Sequence, residues 1–241
     1  TTSKISLKEP AMWSLASKPE KNPEPYFSNS TLNDNLAHGN GRGLMTWYNI
    51  DPRFYGIGGK APNGINAQAV SNHASRRVQT QELYNSRDFV AGEQLYTNTF
   101  DITYFPTERG PYNVNPNSES TQERWAGLMR PISVSNFINS NIEYVEFWMM
   151  DPFIENPNHT GGKIVINLGD ISEDILRDGK KFFESGLPAD GSDEDIEFTV
   201  WGRVPTLQQI VNSFVDNTES RINQDVGYDG LHDLREQTYF D

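Results

Sequence analysis

Residues 141–187 set the terms on which this chain can fold. They read NIEYVEFWMMDPFIENPNHTGGKIVINLGDISEDILRDGKKFFESGL, with strand-like runs at 142–151 and 163–170 on either side of an Asn/Pro/Gly loop. In the first run apolar side chains fall on both parities: Ile142, Tyr144, Trp148 and Met150 against Val145, Phe147 and Met149. A strand of that kind is expected to be covered on both faces. In the second, Ile164, Ile166 and Leu168 alternate with Val165 and Asn167, which gives one clearly apolar face. The stretch is therefore expected to form the heart of the core.

With 241 residues the chain can bury one large core or two smaller ones. A formal charge of −13 argues against nucleic acid or an anionic membrane surface as partner. Cysteine is absent, so neither disulfides nor thiolate zinc sites can form. No apolar run approaches the roughly 20 residues of a membrane helix. The chain opens in polar TTSKISLKEP without a start Met or a signal-like segment, and is expected to be a mature or excised piece. Aromatic content of 12% with 14 Pro and 19 Gly suits a β-rich, loop-rich protein better than a helical bundle.

Taken in order, residues 1–35 are Pro/Asn/Ser-rich, with 18–25 (KPEKNPEP) an extended connector and Met12, Trp13 and Leu15 a small apolar patch. A strand is expected at 42–50, with Leu44 and Thr46 opposite Met45 and Trp47, stopped by Asp51-Pro52. Part of 70–87 reads as helix. The run 97–105 alternates Phe100, Ile102 and Tyr104 against Asp101 and Thr103, a half-buried strand that Pro106 is expected to end. The Asn/Pro/Ser segment 113–120 marks an internal boundary. Beyond it, strands are expected at 125–132 and 196–204, a helical turn at 136–140, and helices at 178–186 and 206–216. Ile196, Phe198, Val200 and Gly202 would share one side of the 196–204 strand. The domains expected are a loop-rich region 1–115, a β-sandwich 121–216 and an acidic tail 217–241.

The chemistry-bearing candidates are few. Asp170, Glu173 and Asp174 cluster after a strand, but glycoside hydrolysis needs two carboxylates facing each other across a cleft, so a turn and helix-start role is preferred. His38, His73, His159 and His232 are scattered without HxH or HExxH spacing. GxSxG, GxGxxG and P-loop patterns are all missing. One metal pattern stands out. Residues 225–236 overlay a twelve-residue calcium loop with carboxylates Asp225, Asp229, Asp233 and Glu236 and the turn glycine Gly230. Gly227 stands where a third-position carboxylate or amide is usual, and an acidic turn is the competing reading. Trp47, Trp125, Trp148 and Trp201 lie on strand-like runs and are expected in the core. Trp13 and Tyr26 are the better candidates for outside contact.

The phrases LMTWYNIDPRFY, ITYFPTERGPYN, ERWAGLMR, IEYVEFWMMDPF, GGKIVINLGDISEDILRDGKKFFESGLPADG and RINQDVGYDGL, in that order, resemble the SprA/Sov family. These are very large outer-membrane proteins of type IX secretion and gliding motility. The resemblance implies a non-enzymatic part of a translocation pore at the outer membrane or cell surface. The pore itself is a giant β-barrel through which the part would be membrane-associated. Partners so implied are other translocon components, including a shuttle barrel and a periplasmic plug, and secreted cargo proteins. The strands from 125 onward look covered on both faces, which suits a jelly-roll-like β-sandwich beside or within the barrel. INLGDISEDI after an aromatic strand also resembles galactose-binding-like jelly rolls, which makes a carbohydrate-binding module, with glycan as ligand, the alternative. The fold expected is mainly β: a jelly-roll-like sandwich with short helices, plus an N-terminal loop-rich region with a few strands.

Overall fold

A computed structural model describes residues 4–18, 36–66, 68–113, 115, 124–181, 186–207 and 213–225. Among them the chain is mainly β, poor in helix and built from small two-stranded sheets. Antiparallel pairs form between β1 (Ser14–Leu15) and β6 (Leu128–Met129), β3 (Val78–Gln79) and β4 (Tyr96–Thr97), and β7 (Ile196–Thr199) and β8 (Gly202–Pro205). The longest strands, β2 (Gly43–Tyr48) and β5 (Asp101–Arg109), pair with each other. The α-helices among the described residues are α1 (Thr80–Leu83) and α2 (Thr218–Gln224).

The chain divides into two compact units. One comprises Thr1–Trp13, Trp47–Ile102 and Arg130–Asn167, the other Ser14–Thr46, Thr103–Met129 and Leu168–Asp241. In the first, the Trp13 ring stacks on Phe100 at 5.5 Å between centroids, with the Arg130 guanidinium 5.8 Å from it. The Trp13 indole N–H donates to the Leu7 carbonyl at 2.9 Å. In the second, Leu176, Trp201 and Val204 form the buried cluster, with Leu36 and Tyr112 packed against it. The expected boundary residues 116–120 lie outside the described ones.

Local chemistry explains several elements. β2 stops where expected: the Asp51 carboxylate accepts the Arg53 amide at 2.8 Å and caps the 3-10 turn Pro52–Tyr55. At 136–141, Asn136 Oδ1 accepts the Asn139 amide at 2.9 Å and closes the expected turn. The helix expected within 70–87 shrinks to the single turn α1, where Glu82 accepts the Gln79 amide and holds Arg76 in a two-pronged ion pair.

Other expectations are corrected. The run 142–151, expected at the heart of the core, is extended but pairs with no strand among the described residues, and its side chains face solvent. Tyr144 is 83% and Trp148 65% exposed. In 163–170, Ile164, Val165, Ile166 and Leu168 are exposed as well. Apolar patterning reports that a cover is needed, whereas burial requires that the cover be present.

β5 keeps its alternation in the opposite phase: Ile102 and Tyr104 are exposed while Asp101, Thr103 and Phe105 are half-buried. A strand with period 2 exchanges its faces whole. Nor does Pro106 end it, since a strand with one ladder neighbour can spare an N–H on its outer edge. The continuous strand expected at 196–204 is a hairpin. Thr199 pairs with Gly202, the Thr199 hydroxyl accepts the Trp201 amide at 3.0 Å, and Gly202 takes a left-handed φ of 86°. That reversal exposes Phe198 and Val200 and buries Trp201 and Val204.

No helix forms over 178–181. Asp174 captures the amides of Asp178 and Gly179, Asp178 captures that of Lys180, and Arg177 and Gly179 adopt positive φ. Phe182 and Phe183 lie outside the described residues. Residues 213–215 are not helical, and Asn217, expected near a helix end, instead starts α2 by accepting the Ser220 amide at 3.1 Å. The amide and hydroxyl of Thr206, the expected N-cap, both donate to the Asp195 carbonyl.

Candidate functional site

The second unit contains a buried cationic hub. The β2 entry, Gly41 to Gly43, is clasped by two segments. Trp125 donates its amide to the Gly41 carbonyl and accepts that of Gly43 at 2.8 Å. The Arg42 carbonyl accepts the Gly110 amide at 3.0 Å and the Asn113 side-chain amide at 2.7 Å. Glycines permit the close approach: a Cβ on Gly110 would lie 2.2 Å from the Gly43 oxygen.

Arg42 is fully buried, its guanidinium 4.3 Å from the Trp125 ring centroid and donating to the Ala16 carbonyl at 2.8 Å. Beside it the Lys18 ammonium donates to the His38 carbonyl at 3.0 Å. Burial, with Arg42 close by, lowers the Lys18 pKa to about 8. The His38 imidazole is buried, and neither ring nitrogen has a hydrogen-bond partner among the described residues. Burial, then Lys18, Arg42 and Arg177, push its pKa down to about 4 against a weaker opposing pull from Asp174. His38 is therefore neutral at pH 7, packed in the hub beside the Lys18 ammonium and the Arg42 guanidinium.

Asp170, Glu173 and Asp174 do not face one another across a cleft as acid and base. Glu173 pairs with Lys181, and Asp174 is occupied by the two amides named above. A turn role fits them; the helix start does not form. Among the described residues no three His, Cys, Asp or Glu side chains gather as metal ligands. Of the calcium pattern only Asp225 is described, as the residue closing α2 with its amide on the Arg221 carbonyl. Asp229, Asp233 and Glu236 lie outside the described residues. An open hollow of about 480 Å³ has Asp190, Glu194 and Asp195 in its wall. The Ser192 amide holds the Asp190 carboxyl below its usual range.

The aromatic assignments change most. Trp125 and Trp201 are buried and Trp47 is half-buried, its indole N–H on the Pro10 carbonyl at 3.3 Å. Trp148 is the outward one. Trp13, expected to reach outside, is instead engaged by Phe100 and Arg130, and Tyr26 is outside the described residues.

The candidate interaction surface is thus the ribbon 142–150. From Glu143 to Met150 it makes no hydrogen bond to any described residue. By strand parity Tyr144, Glu146 and Trp148 fall on one face and Glu143, Val145, Phe147 and Met149 on the other, and all seven are exposed. Contiguous exposed apolar surface of this kind marks a place of contact. Among the described residues no helix is long and apolar enough to cross a membrane. No protein-family model matches the chain, and no curated protein matches it.

Proposed function

We propose that this chain is a non-enzymatic, partner-contacting part of an outer-membrane protein-export channel of the type IX secretion and gliding-motility kind. Its parent would be the membrane-associated barrel, its partners other translocon components and secreted cargo, and its place the outer membrane or cell surface. The observation that carries the reading is the ordered set of family-like phrases, LMTWYNIDPRFY through RINQDVGYDGL. Two structural features support it. ERGPYN, at 108–113, and Trp125 of ERWAGLMR clasp the β2 entry at Arg42, and IEYVEFWMMDPF supplies the open ribbon. The jelly-roll-like sandwich belongs to the same proposal. Deleting the region from the parent protein should abolish secretion or gliding, or destabilise the channel; normal export without it would sink the proposal.

A second reading, a carbohydrate-binding jelly-roll module, is favoured by one observation. Tyr144 and Trp148 are exposed on the same side of an extended run, roughly 13 Å apart at about 3.3 Å per residue, a spacing that suits stacking on successive sugar rings. A glycan array with no hits would remove it. Calcium at Asp225, Asp229, Asp233 and Glu236 stays a proposal on pattern alone, tested by whether Ca²⁺ raises the melting temperature or protease resistance of the tail.

A further inference from the structure

The ribbon 142–150 presents what a sheet interior requires and, among the described residues, nothing that completes it. Its backbone is extended, and its main-chain donors and acceptors from Glu143 to Met150 are open among the described residues. Apolar side chains stand on both faces. An extended segment of this kind recruits another strand by main-chain pairing, with alternate side chains setting the choice of partner.

The charges narrow the occupant. Residues 142–151 carry Glu143, Glu146 and Asp151 and no cation, in a chain of net charge −13. A second copy would bring acid towards acid, and like charges opposite one another destabilise a strand pair. Glu143 and Glu146 differ in parity and so project to opposite faces. A complementary strand therefore needs a cation on each face, three residues apart, within an otherwise apolar run.

We infer that 142–150 is an acceptor for a β-strand of another polypeptide, apolar at most positions and bearing two Lys or Arg residues three apart. This deepens the partner-contact reading of the same ribbon and rests on it. The strand adds by main-chain hydrogen bonds, its apolar residues extend both faces, and its cations meet Glu143 and Glu146.

The test uses the full chain and two capped synthetic peptides of about ten residues, the length of a long strand. Both are built from Val and Thr, one with two lysines three apart and the other with glutamates at the same positions. Hydrogen exchange should show protection confined to 142–150 with the lysine peptide, which should bind at least about tenfold more tightly than the glutamate peptide. In a Glu143→Lys/Glu146→Lys variant, whose changes fall on exposed side chains, the preference should reverse. No protection of 142–150, or equal binding of both peptides, overturns the inference. Concentration-dependent protection of 142–150 without peptide would make a second copy the occupant and overturn it too. The measurement needs no secretion readout. Normal export after deletion would remove the channel reading and leave the peptide result standing, whereas failed peptide binding with export lost would remove only this inference.

Discussion

The side-chain amide of Asn113 and the main-chain amide of Gly110 meet on one oxygen, the carbonyl of Arg42, at 2.7 and 3.0 Å. Both lone pairs of that buried acceptor are thereby used, and the ERGPYN turn is locked to the entry of β2. Asn113→Ala removes one donor without adding bulk. Chemical denaturation should show a loss of about 1–2 kcal/mol, the cost of a buried hydrogen bond left half-made. An unchanged midpoint would mean that the clasp does not hold the second unit together.

Gly39 tests the same region by steric means. A Cβ there would lie 1.4 Å from the Tyr112 carbonyl oxygen, so Gly39→Ala must displace backbone. A loss of about 3 kcal/mol or more is expected. At Gly161, where no atom lies within 4 Å, the same change meets only the strain of a φ of 86°, about 1 kcal/mol. The ordering of the two in urea melts is the readout.

His38 makes the second unit acid-sensitive. Its pKa is held down to about 4, while in the unfolded chain it titrates near 6.5. Between those values the unfolded chain takes up a proton that the folded chain refuses. Stability should therefore fall as pH drops through this window, by on the order of 3 kcal/mol in all. His38→Gln cannot titrate, so its unfolding free energy should change less between pH 7 and 4; parallel curves for the two proteins would refute the assignment.

Lys18 acts in the alkaline range with the same sign of slope. Its pKa is about 8 in the folded chain, against the 10.5 of an unperturbed lysine. The folded chain therefore loses the proton first, and stability rises as pH climbs between those values. At pH 7 the ammonium is charged in both states, and its desolvation beside Arg42 costs more than its hydrogen bond to the His38 carbonyl returns. Lys18→Met keeps an unbranched stem and removes the charge. It should stabilise the protein by about 1–2 kcal/mol at pH 7 and abolish the alkaline rise, read from melts at pH 7 and 10.

The tryptophans should divide sharply. Trp201 is 3% exposed in the core cluster, so Trp201→Ala should cost about 3–5 kcal/mol. Trp148→Ala, on the open ribbon, should stay within about 0.5 kcal/mol in the isolated chain. A large loss at Trp148 would place the ribbon in the core after all.

Punctuation was the part of this fold most legible in the sequence. Asp51-Pro52 stops β2 and Asn136 closes its turn because each acts through bonds to residues two or three places away. The phase of β5 was not legible, since a single-residue change of face leaves the same alternation in the sequence. Nor was the 196–204 hairpin, whose reversal rests on the Thr199 hydroxyl and Gly202 within an unbroken apolar alternation. The burial of Arg42 and Lys18 was not legible because residue type alone places Arg and Lys at the surface, and His38 was read only as one of four scattered histidines. The signal was present in GRG and ERGPYN, paired glycine-bearing phrases of the kind that let backbones meet. For 142–150, pattern reported the need for cover and was silent on where the cover comes from.

That ribbon also has a bearing on the fate of newly made chain. A run with strong β propensity, apolar on both faces and open along its edges, is the raw material of cross-β stacking. Glu143 and Glu146 interrupt it on either face, and Asp151-Pro152 closes its end with a charge and a residue that cannot donate to a ladder. The carboxylates proposed to select a strand of opposite charge therefore also serve as gatekeepers, keeping identical ribbons from zipping together on neighbouring chains while they wait.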